Sequence, residues 1–498
     1  MTEPPKQHPV PAHLFAMALV VVTVALYLPT LGAGFAWDSK IQVQYDSFIH
    51  DLQNLPAVLS LRVLGMDVID FNRPTQLLSL MADAALWGKH PFGYHLTSVL
   101  LHAAVTVLLF TFCRRLTSTW CAFAAALLYA VHPVNCEAVA EIGYREDILT
   151  ALFVLAGLNC AAKWDATWRS GLVCVPCFFL AIGAKETAVA GPVLLAFYWW
   201  WFRRREPRPP WLALIGAAAL VVGVFLLARF VYETRESVIF ATKPPRLGGS
   251  WGETLLLQSR IWTFYLTQMV WPHDLCGDYG PYSIRNFGLP LALVVLTLVV
   301  TAQIWGARRS RPFAFGAVAF WLCLLPVSNF IPLHRPMADR FLYLPLVGVA
   351  FMVAALASHF RRGAMVVGLL ALPLAFATIQ QQKVWHDDLS LWRDTARKNP
   401  RSFSALNNLG AALINAGKPE EALVALQKSV KLTGGKNSDT WAQMAVLLDE
   451  AGRRAEADAA FKQAVNLDTR LARPDLLVSA LKWERRRAEK WKVIAARN

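Results

Sequence analysis

The sequence predicts an all-α membrane protein that ends in a small helical domain. Hydrophobic residues make up 56% of the 498 residues and charged residues only 17%, whereas soluble domains carry about 25% charged residues. Up to residue 382 the apolar residues form long runs, and a helix needs about 20 such residues to cross a bilayer. Residues 383–498 are polar and amphipathic instead. These features exclude disordered, collagen-like and disulfide-stapled chains, and they argue against an ordinary soluble enzyme.

Eleven apolar runs within residues 1–382 are predicted to cross the membrane. Loops rich in Lys and Arg collect on the cytoplasmic side, and five short loops of this region are basic. All five fall on one side only if a twelfth apolar stretch, residues 254–271, does not cross. The net charge of +15 is then mostly a sign of topology, so we expect no nucleic-acid partner. The predicted spans are residues 12–31, 93–113, 119–133, 147–163, 170–184, 187–202, 211–231, 287–306, 313–331, 341–358 and 364–381.

The stretch 254–271 is predicted to be an interfacial or re-entrant helix. Arg260 and other polar residues recur in it at helical spacing, and its tryptophans suit a membrane interface. With the amino terminus inside, residues 32–92 and 232–286 form two long outer segments, and residues 383–498 lie outside as well. The remaining outer loops are short and rich in ionisable residues. Such residues beside a bilayer are costly and usually functional, so the site is expected on this side.

Residues 402–470 contain an internal repeat with a period of 35 residues. This period is close to the 34 residues of the tetratricopeptide repeat (TPR), and the extra residue fits the Gly434–Gly435 turn. A preceding half-repeat (391–400) and a basic helix (474–498) are predicted to flank the stack. So short a stack is marginal alone, and we expect it to dock on the membrane domain; a plain helical hairpin without a ligand is the alternative. The recurring positions are Gly417, Ala422, Leu426, Val430 and Leu432, which return as Gly452, Ala457, Phe461, Val465 and Leu467.

The eight cysteines do not predict a metal or redox site. Cys174 and Cys177 have the spacing of a C-x-x-C motif, but they lie inside an apolar run and lack further ligands, so packing is the better interpretation. No ordered cluster of His, Asp and Glu indicates a bound metal. The sequence therefore predicts no metal ligands, and it leaves dependence on a divalent metal open.

Six segments, in their order along the chain, resemble a known enzyme family. They are FAWDSKIQVQYDSFIHD (35–51), NRPTQLLSL (72–80), PFGYHLTSVLLHAAVTVLLF (91–110), AVHPVNCEAVAEIGYREDILTALF (130–153), AKETAVAGPVLL (184–195) and HRPMADRFLYLPLVGVAF (334–351). Together with the repeats, they closely resemble the transmembrane-and-TPR-containing O-mannosyltransferases and their bacterial relatives, within the GT-C glycosyltransferase superfamily. The resemblance covers nearly the whole chain.

The resemblance implies a membrane glycosyltransferase. A polyprenyl-phosphate sugar would give up its sugar, generally with inversion, to a Ser or Thr hydroxyl of a protein or peptide at the outer face of the membrane. The basic loops favour the inner membrane of a bacterium, with the TPR domain on the periplasmic side, where it would hold the acceptor. Two alternatives stay open: the same donor with a glycan or lipid acceptor, and a non-catalytic membrane-anchored TPR scaffold.

The reaction needs a carboxylate that takes the acceptor proton. In the family this acid lies just after the first span, a position that matches Asp38 in this chain. A helix N-cap is the alternative role for an aspartate there. Many relatives carry two adjacent acids at this point, where this chain has Asp38–Ser39, so the resemblance does not carry over a paired-carboxylate or metal role.

The reaction also needs cations that stabilise the lipid phosphate as it leaves. Mutual salt bridges that hold the loops together are the alternative role for these charged residues. The candidate phosphate ligands, all on short outer loops, are Arg145, Lys185, Arg335 and Arg340. Residues assigned by the resemblance to substrate binding or support are Arg73, His132, Glu137, Asp147, Glu186 and Tyr343.

Overall fold

The computed structural model of the chain describes residues 10–66, 68–163, 168–206, 208–233, 245–280, 288–473 and 485–497. Every regular element in these ranges is a helix, which confirms the all-α prediction. The helices of the first part of the chain are α1 (Ala12–Tyr27), α2 (Leu55–Leu59), α3 (Pro74–Trp87), α4 (Pro91–Cys113), α5 (Thr119–Ala130), α6 (Cys136–Ala140), α7 (Arg145–Ala162), α8 (Trp168–Ala184), α9 (Ala190–Tyr198), α10 (Arg208–Glu233), α11 (Trp251–Val270), α12 (Leu289–Arg309), α13 (Arg311–Leu324), α14 (Pro345–Ala357) and α15 (Gly363–Val384).

Each of the eleven predicted spans is wholly or largely helical. Five helices in the described ranges are long and apolar enough to cross a bilayer by themselves. The helices Thr119–Ala130 and Pro133–Ala140 add a sixth candidate if they count as one span; the two are bent by 49° at the break between them. The chain is therefore a multi-pass membrane protein, while the count of eleven spans stays a prediction. Within the described ranges, the five helices that are long and apolar enough to cross a bilayer are Ala12–Gly32, Pro91–Cys113, Pro210–Val231, Leu289–Arg309 and Gly363–Val384.

Helix α11 differs in composition from the candidate spans. Ser250 caps its amino terminus by accepting a hydrogen bond from the backbone N–H of Glu253. Its apolar side chains include exposed Leu255 and Leu256, whereas polar Thr263 and Gln268 are buried. This distribution suits a helix whose polar face packs on protein and whose apolar face meets lipid. The helix is not among the five candidates named above, and its interfacial placement stays a prediction.

Proline begins several of the helices next to the predicted outer loops. A proline at the first helical position fits because its fixed φ suits the helix and its missing N–H is not needed there. Pro74, Pro91 and Pro345 occupy this position in α3, α4 and α14. As a result Arg73, one of the predicted site residues, lies at the N-cap of α3.

The tail consists of helical hairpins, as the repeat predicts. Gly417 and Gly452 occupy equivalent turns and both have left-handed backbones, with φ of 69° and 73°. Gly434 and Gly435 also have positive φ and form the turn between the two hairpins, where the extra residue was expected. The tail helices are α16 (Asp388–Lys398), α17 (Phe403–Asn415), α18 (Pro419–Thr433), α19 (Ser438–Glu450), α20 (Arg454–Leu467) and α21 (Arg485–Ala495).

The tail docks on the membrane domain through α16 and α17. Trp392 and Leu406 belong to the same buried apolar core as the membrane helices, whereas the repeats from Leu413 onward have a core of their own. At the far end Trp491 of α21 is buried against Phe461, so the described part of the predicted capping helix covers the stack. Residues 474–484 of that prediction lie outside the described ranges. The division of the chain at residues 382 and 383 stays a prediction.

Candidate active site

The loops that carry the predicted site residues converge on Asp38. Asp38 follows Trp37, whose left-handed backbone (φ 46°) turns the chain, and it precedes a π-helical turn at Lys40–Tyr45. Its side chain is half-buried, and its Oδ2 accepts a hydrogen bond from the hydroxyl of Tyr144 at 2.8 Å. Tyr144 lies directly before α7. The loop after the first span and the loop before α7 therefore meet at this carboxylate.

A second carboxylate, that of Glu141, lies beside Asp38. Its Oε1 accepts a hydrogen bond from the backbone N–H of Ser39 at 2.7 Å, and the residue is only 1% exposed. Burial raises the pKa of Glu141 well above its usual value, and the negative charge of Asp38 raises it further. Many members of the resembled family carry a second acid directly after the first, where this chain has Ser39. In this chain the second carboxylate beside Asp38 comes from another loop, at Glu141. Sequence reasoning missed Glu141 because nothing in residues 130–153 sets it apart from the other acids there.

Gly143 lets these two loops approach each other closely. A Cβ at this position would lie 2.6 Å from Oε1 of Gln42, 3.1 Å from Oε1 of Glu141 and 3.3 Å from Cβ of Asp38. The carbonyl oxygen of Gly143 accepts a hydrogen bond from Nε2 of Gln76 at 2.9 Å, which fixes the backbone from the other side. A larger residue here would have to displace the ends of the Gln42 and Glu141 side chains and would crowd Cβ of Asp38.

Replacing Glu141 with glutamine is expected to stabilise the protein at neutral and alkaline pH. The glutamine keeps an acceptor oxygen for Ser39 but cannot ionise in a buried place. In the wild type the folded-state pKa is raised, so above the ordinary value of 4.5 the unfolded chain loses a proton that the folded chain keeps. Wild-type stability therefore falls as the pH rises toward the folded-state pKa.

Thermal unfolding in detergent across a pH series measures this effect. The advantage of Glu141→Gln should shrink to nothing in acid, where the wild-type carboxyl is protonated in both states. A difference between the two proteins that is the same at every pH would contradict the prediction.

Arg340 lies over the ring of Tyr144. Its guanidinium carbon is 3.7 Å from the centre of the Tyr144 ring, and its Nη1 is paired with the carboxylate of Glu137. The backbone N–H of Arg340 donates to the same carboxylate at 2.8 Å. Burial opposes the charge of Arg340, but Tyr144 and Glu137 outweigh burial and raise its pKa. Its Nε is buried and makes no hydrogen bond with the described residues.

A second group of charges, next to the first, forms a chain of ion pairs. Asp147 and Glu146 lie in the first turn of α7, where the helix dipole favours negative charge, and both help to raise the pKa of Arg340. Most of these charged side chains are therefore paired with one another, which is the alternative role of salt bridges that hold the loops together. The pairs are Lys185 Nζ to Asp147 Oδ2 at 2.6 Å, Lys185 Nζ to Glu146 Oε1 at 3.5 Å, Arg73 Nη1 to Glu146 Oε1 at 3.3 Å, Arg73 Nη1 to Asp70 Oδ1 at 3.0 Å, and Arg229 Nη1 to Glu186 Oε2 at 3.0 Å.

The other two phosphate candidates differ in their surroundings. Arg145 is fully buried, pairs with Asp83 at 2.6 Å, and donates further hydrogen bonds to Ser79, Ser98 and the carbonyl oxygen of Tyr94. The side chain of Arg335 is 28% exposed. The guanidinium of Arg145 is thus used inside the protein, whereas that of Arg335 stays in part accessible.

Arg335 also connects the site to other parts of the chain. Its Nη1 is 3.1 Å from Oδ1 of Asp278, and its guanidinium carbon is 4.0 Å from the centre of the Trp37 ring. Trp37 directly precedes Asp38, so Arg335 and Arg340 approach the Asp38 loop from the same segment of the chain, residues 334–343.

His132 and Tyr343 make internal hydrogen bonds. Nε2 of His132 is 3.2 Å from the carbonyl oxygen of Met269 in α11, and Nδ1 accepts from the backbone N–H of Val134. The hydroxyl of Tyr343 is 2.7 Å from Nδ1 of His102, and both of these residues are fully buried. The structure therefore ties these two predicted site residues to helix packing, and it does not bring them to Asp38.

The described residues contain no group of three or more His, Cys, Asp and Glu side chains placed to hold a metal ion. Asp38 and Glu141 are a pair, and the third acid nearby, Glu137, is engaged by Arg340. Dependence on a divalent metal stays open.

Comparison with known proteins identifies relatives of both parts of the chain. A tetratricopeptide repeat model matches residues 438–470. A protein O-mannosyl-transferase of Caenorhabditis elegans is 24% identical and aligns with 84% of this chain and 62% of its own length. The protein O-mannosyl-transferase Tmtc3 of Drosophila melanogaster is 26% identical, over 79% of this chain and 51% of its own. The chain thus spans about half to three-fifths of the length of these relatives.

Two solved structures are also similar to this chain. ArnT from Cupriavidus metallidurans, bound to undecaprenyl phosphate, has a TM-score of 0.42 at 12% identity and covers 91% of this chain and 80% of its own. The oligosaccharyltransferase of Archaeoglobus fulgidus has a TM-score of 0.42 at 10% identity, over 81% of this chain and 58% of its own. Both TM-scores are below 0.5, so the relationship of this chain to known proteins rests on the sequence relatives. Over most of its length the chain has homologues among the protein O-mannosyl-transferases, and its tail carries a tetratricopeptide repeat.

Proposed function

We propose that the chain is a membrane glycosyltransferase that moves a mannosyl group from a polyprenyl-phosphate donor to a Ser or Thr hydroxyl of a protein. Transfer takes place at the outer face of a bacterial inner membrane, which is the periplasmic side, and it inverts the configuration at the anomeric carbon. The names of the relatives support the sugar and the protein acceptor. The arrangement around Tyr144 supports the chemistry.

One observation carries the proposal: a carboxylate and a guanidinium contact the same tyrosine side chain, one at its hydroxyl and the other over its ring. Asp38 accepts the hydrogen bond of the Tyr144 hydroxyl, and Arg340 stacks on the Tyr144 ring. A base and a cation separated by one side chain are what the reaction needs at its two ends, where a proton leaves the acceptor and a phosphate leaves the sugar.

In the proposed step the acceptor oxygen attacks the anomeric carbon from the side opposite the phosphate. The bond between that carbon and the phosphate oxygen breaks, and its electron pair leaves with the lipid phosphate. Asp38 takes the hydroxyl proton, so the acceptor ends as a neutral glycoside. Because attack and departure occur on opposite faces, the configuration at the carbon is inverted.

Arg340 and Arg335 are the cations that we assign to the phosphate. Arg340 has an Nε that makes no hydrogen bond with the described residues, and Arg335 is in part accessible beside Trp37. Arg145 is enclosed with Asp83, and Lys185 is paired with Asp147 at 2.6 Å. These two cations fit the alternative role of holding the loops in place, and the predicted set of four phosphate ligands is thereby narrowed to two.

Transfer of labelled mannose tests the proposal. The purified protein in lipid vesicles, given a polyprenyl-phosphate [³H]mannose and a pool of Ser- and Thr-containing peptides, should label the peptides. Intact-mass spectra of exported proteins, from cells with and without the gene, should differ by whole hexose residues on at least one protein. Label that enters a lipid or a glycan instead, or spectra without any difference, would overturn the protein acceptor.

A further inference from the structure

The loop that carries Asp38 is bound to the start of the TPR tail. The backbone N–H of Gly34 donates to the carbonyl oxygen of His386 at 3.0 Å. The backbone N–H of Trp37 donates to Oδ1 of Asp388 at 2.7 Å, and the ammonium of Lys40 is paired with Oδ2 of the same carboxylate. Asp388 thus contacts the chain on both sides of Asp38.

The hydrogen bond from Trp37 to Asp388 holds an unusual backbone conformation in place. Trp37 has a φ of 46°, which is unfavourable for a residue with a side chain and persists only where the surroundings hold it. Its ring packs edge-on against Trp392 at 4.6 Å and parallel to Trp385 at 6.2 Å. Both of these tryptophans lie beside Asp388 in sequence, so the residues around the start of α16 hold the ring as well as the N–H.

The opposite side of the loop is held by the membrane domain. Ser39 donates its N–H to Glu141, and Asp38 accepts from Tyr144. The carboxylate of Asp38 is therefore placed by two sets of contacts, one from the loop before α7 and one from the tail. Loss of the tail contacts would leave Trp37 free to relax to an ordinary backbone conformation and would move Asp38 with it.

The tail also contacts Arg335, through Asp278. Oδ1 of Asp278 is paired with Arg335, and its Oδ2 accepts a hydrogen bond from the hydroxyl of Ser402 at 2.7 Å. Ser402 caps the amino terminus of α17. Two groups of the proposed site, Asp38 and Arg335, are thus each connected to the tail through one carboxylate.

We propose that Asp388 is a positioning residue for Asp38, so that the docked tail forms part of the active site. This inference rests on the proposed function, in which Asp38 is the base. Asp388 itself touches no reacting atom; it fixes the peptide unit of Trp37 and the side chain of Lys40, and through them the direction of the Asp38 carboxylate. Because a displacement of about 1 Å costs roughly 100-fold in rate, such a contact has a large effect on turnover.

The first test is a KM and kcat comparison in the mannose-transfer assay. Asp388→Ala is expected to lower kcat by about 10- to 100-fold and to leave both KM values within about threefold, because the binding groups stay in place. Asp388→Asn keeps an oxygen for the N–H of Trp37 and should lose less than about fivefold. The matched control is Asp394→Ala on the same helix, whose partners Arg397 and Lys398 are within α16; its kcat should equal that of the wild type.

The second test measures the hydrogen exchange of the loop itself and does not depend on transfer activity. Amide hydrogen exchange of a peptide that covers residues 34–45 should become about fivefold faster at the Trp37 N–H in Asp388→Ala, because the substitution removes the carboxylate that accepts this hydrogen bond. If Asp388→Ala does not fold, Lys40→Met breaks the same ion pair from the membrane side, and a smaller kcat loss with intact folding is expected.

Wild-type kcat and wild-type exchange in both Asp388→Ala and Lys40→Met would overturn the inference. Failure of the proposed function would give a different result. If Asp38→Asn transferred mannose at the wild-type rate, Asp38 would not be the base, but the faster hydrogen exchange in Asp388→Ala would still be expected. An inactive Asp38→Asn together with a fully active Asp388→Ala would refute the positioning role alone.

Discussion

Replacing Asp38 with asparagine is expected to lower kcat for mannose transfer by about 10²- to 10⁴-fold, the usual range for a general base. Asparagine has nearly the same shape and keeps an oxygen that accepts from the Tyr144 hydroxyl, so the loop should hold its conformation. What is lost is the ability to take the acceptor proton. The KM for the lipid donor should change little, because we assign its phosphate to Arg340 and Arg335. Initial rates with purified protein in vesicles give both quantities.

Asp51→Asn is the matched control for this substitution. Asp51 lies in the same segment between the first two predicted spans and is exposed, and in the contacts described its side chain accepts a hydrogen bond only from the nearby backbone N–H of Gln53. Its variant should turn over at the wild-type rate. A kcat for Asp38→Asn within threefold of the wild type would refute Asp38 as the base, and Glu141 would then become the next carboxylate to replace.

Replacing Arg340 with methionine is expected to damage stability and activity together. The substitution removes one partner of a buried ion pair and leaves Glu137, itself 1% exposed, with an uncompensated charge. Breaking such a pair costs about 3–5 kcal/mol. The loss of one cation from the leaving phosphate should also lower kcat by about 10²- to 10³-fold. Chemical unfolding in detergent and the transfer assay measure the two effects separately.

The double variant Arg340→Met with Glu137→Gln separates the structural effect from the catalytic one. Glutamine removes the orphaned charge and keeps an acceptor for the backbone N–H of residue 340. Most of the lost stability should return, because a neutral pair in place of a buried ion pair is often tolerated. The kcat should stay low. Recovery of transfer along with stability would show that Arg340 only supports the fold.

Hydrophobicity and repeat spacing in the sequence were enough to predict the helices. Long apolar runs have no alternative to helix inside a bilayer, so the eleven predicted spans all correspond to helical segments. The repeat was visible because Gly417 and Gly452 must both adopt left-handed backbones, which few other residues tolerate. The predicted topology puts the loops with the candidate site residues on one side of the membrane. The structure brings Asp38, Glu137 and Arg340 together around Tyr144.

The roles of individual charges could not be predicted in the same way. Arg145 and Arg340 look alike in sequence, but one meets Asp83 and the other meets Glu137, 203 residues away. Which carboxylate faces which cation depends on how helices pack, and no local pattern encodes that choice. Glu141 and Asp388 were missed for this reason, since their partners at Ser39 and Trp37 lie 102 and 351 residues away.

The shared core of α16 and α17 decides where this protein can be cut and recombined. A chimera that exchanges the tail at residue 383 would discard Trp392 and Asp388 together with the contacts that they make to Trp37. A junction at Gly417, an exposed turn with no neighbour within 4 Å of a Cβ placed there, would keep these contacts and exchange only the helices from α18 onward. A chimera that exchanges the repeats and leaves the Asp38 loop intact should therefore begin at that turn.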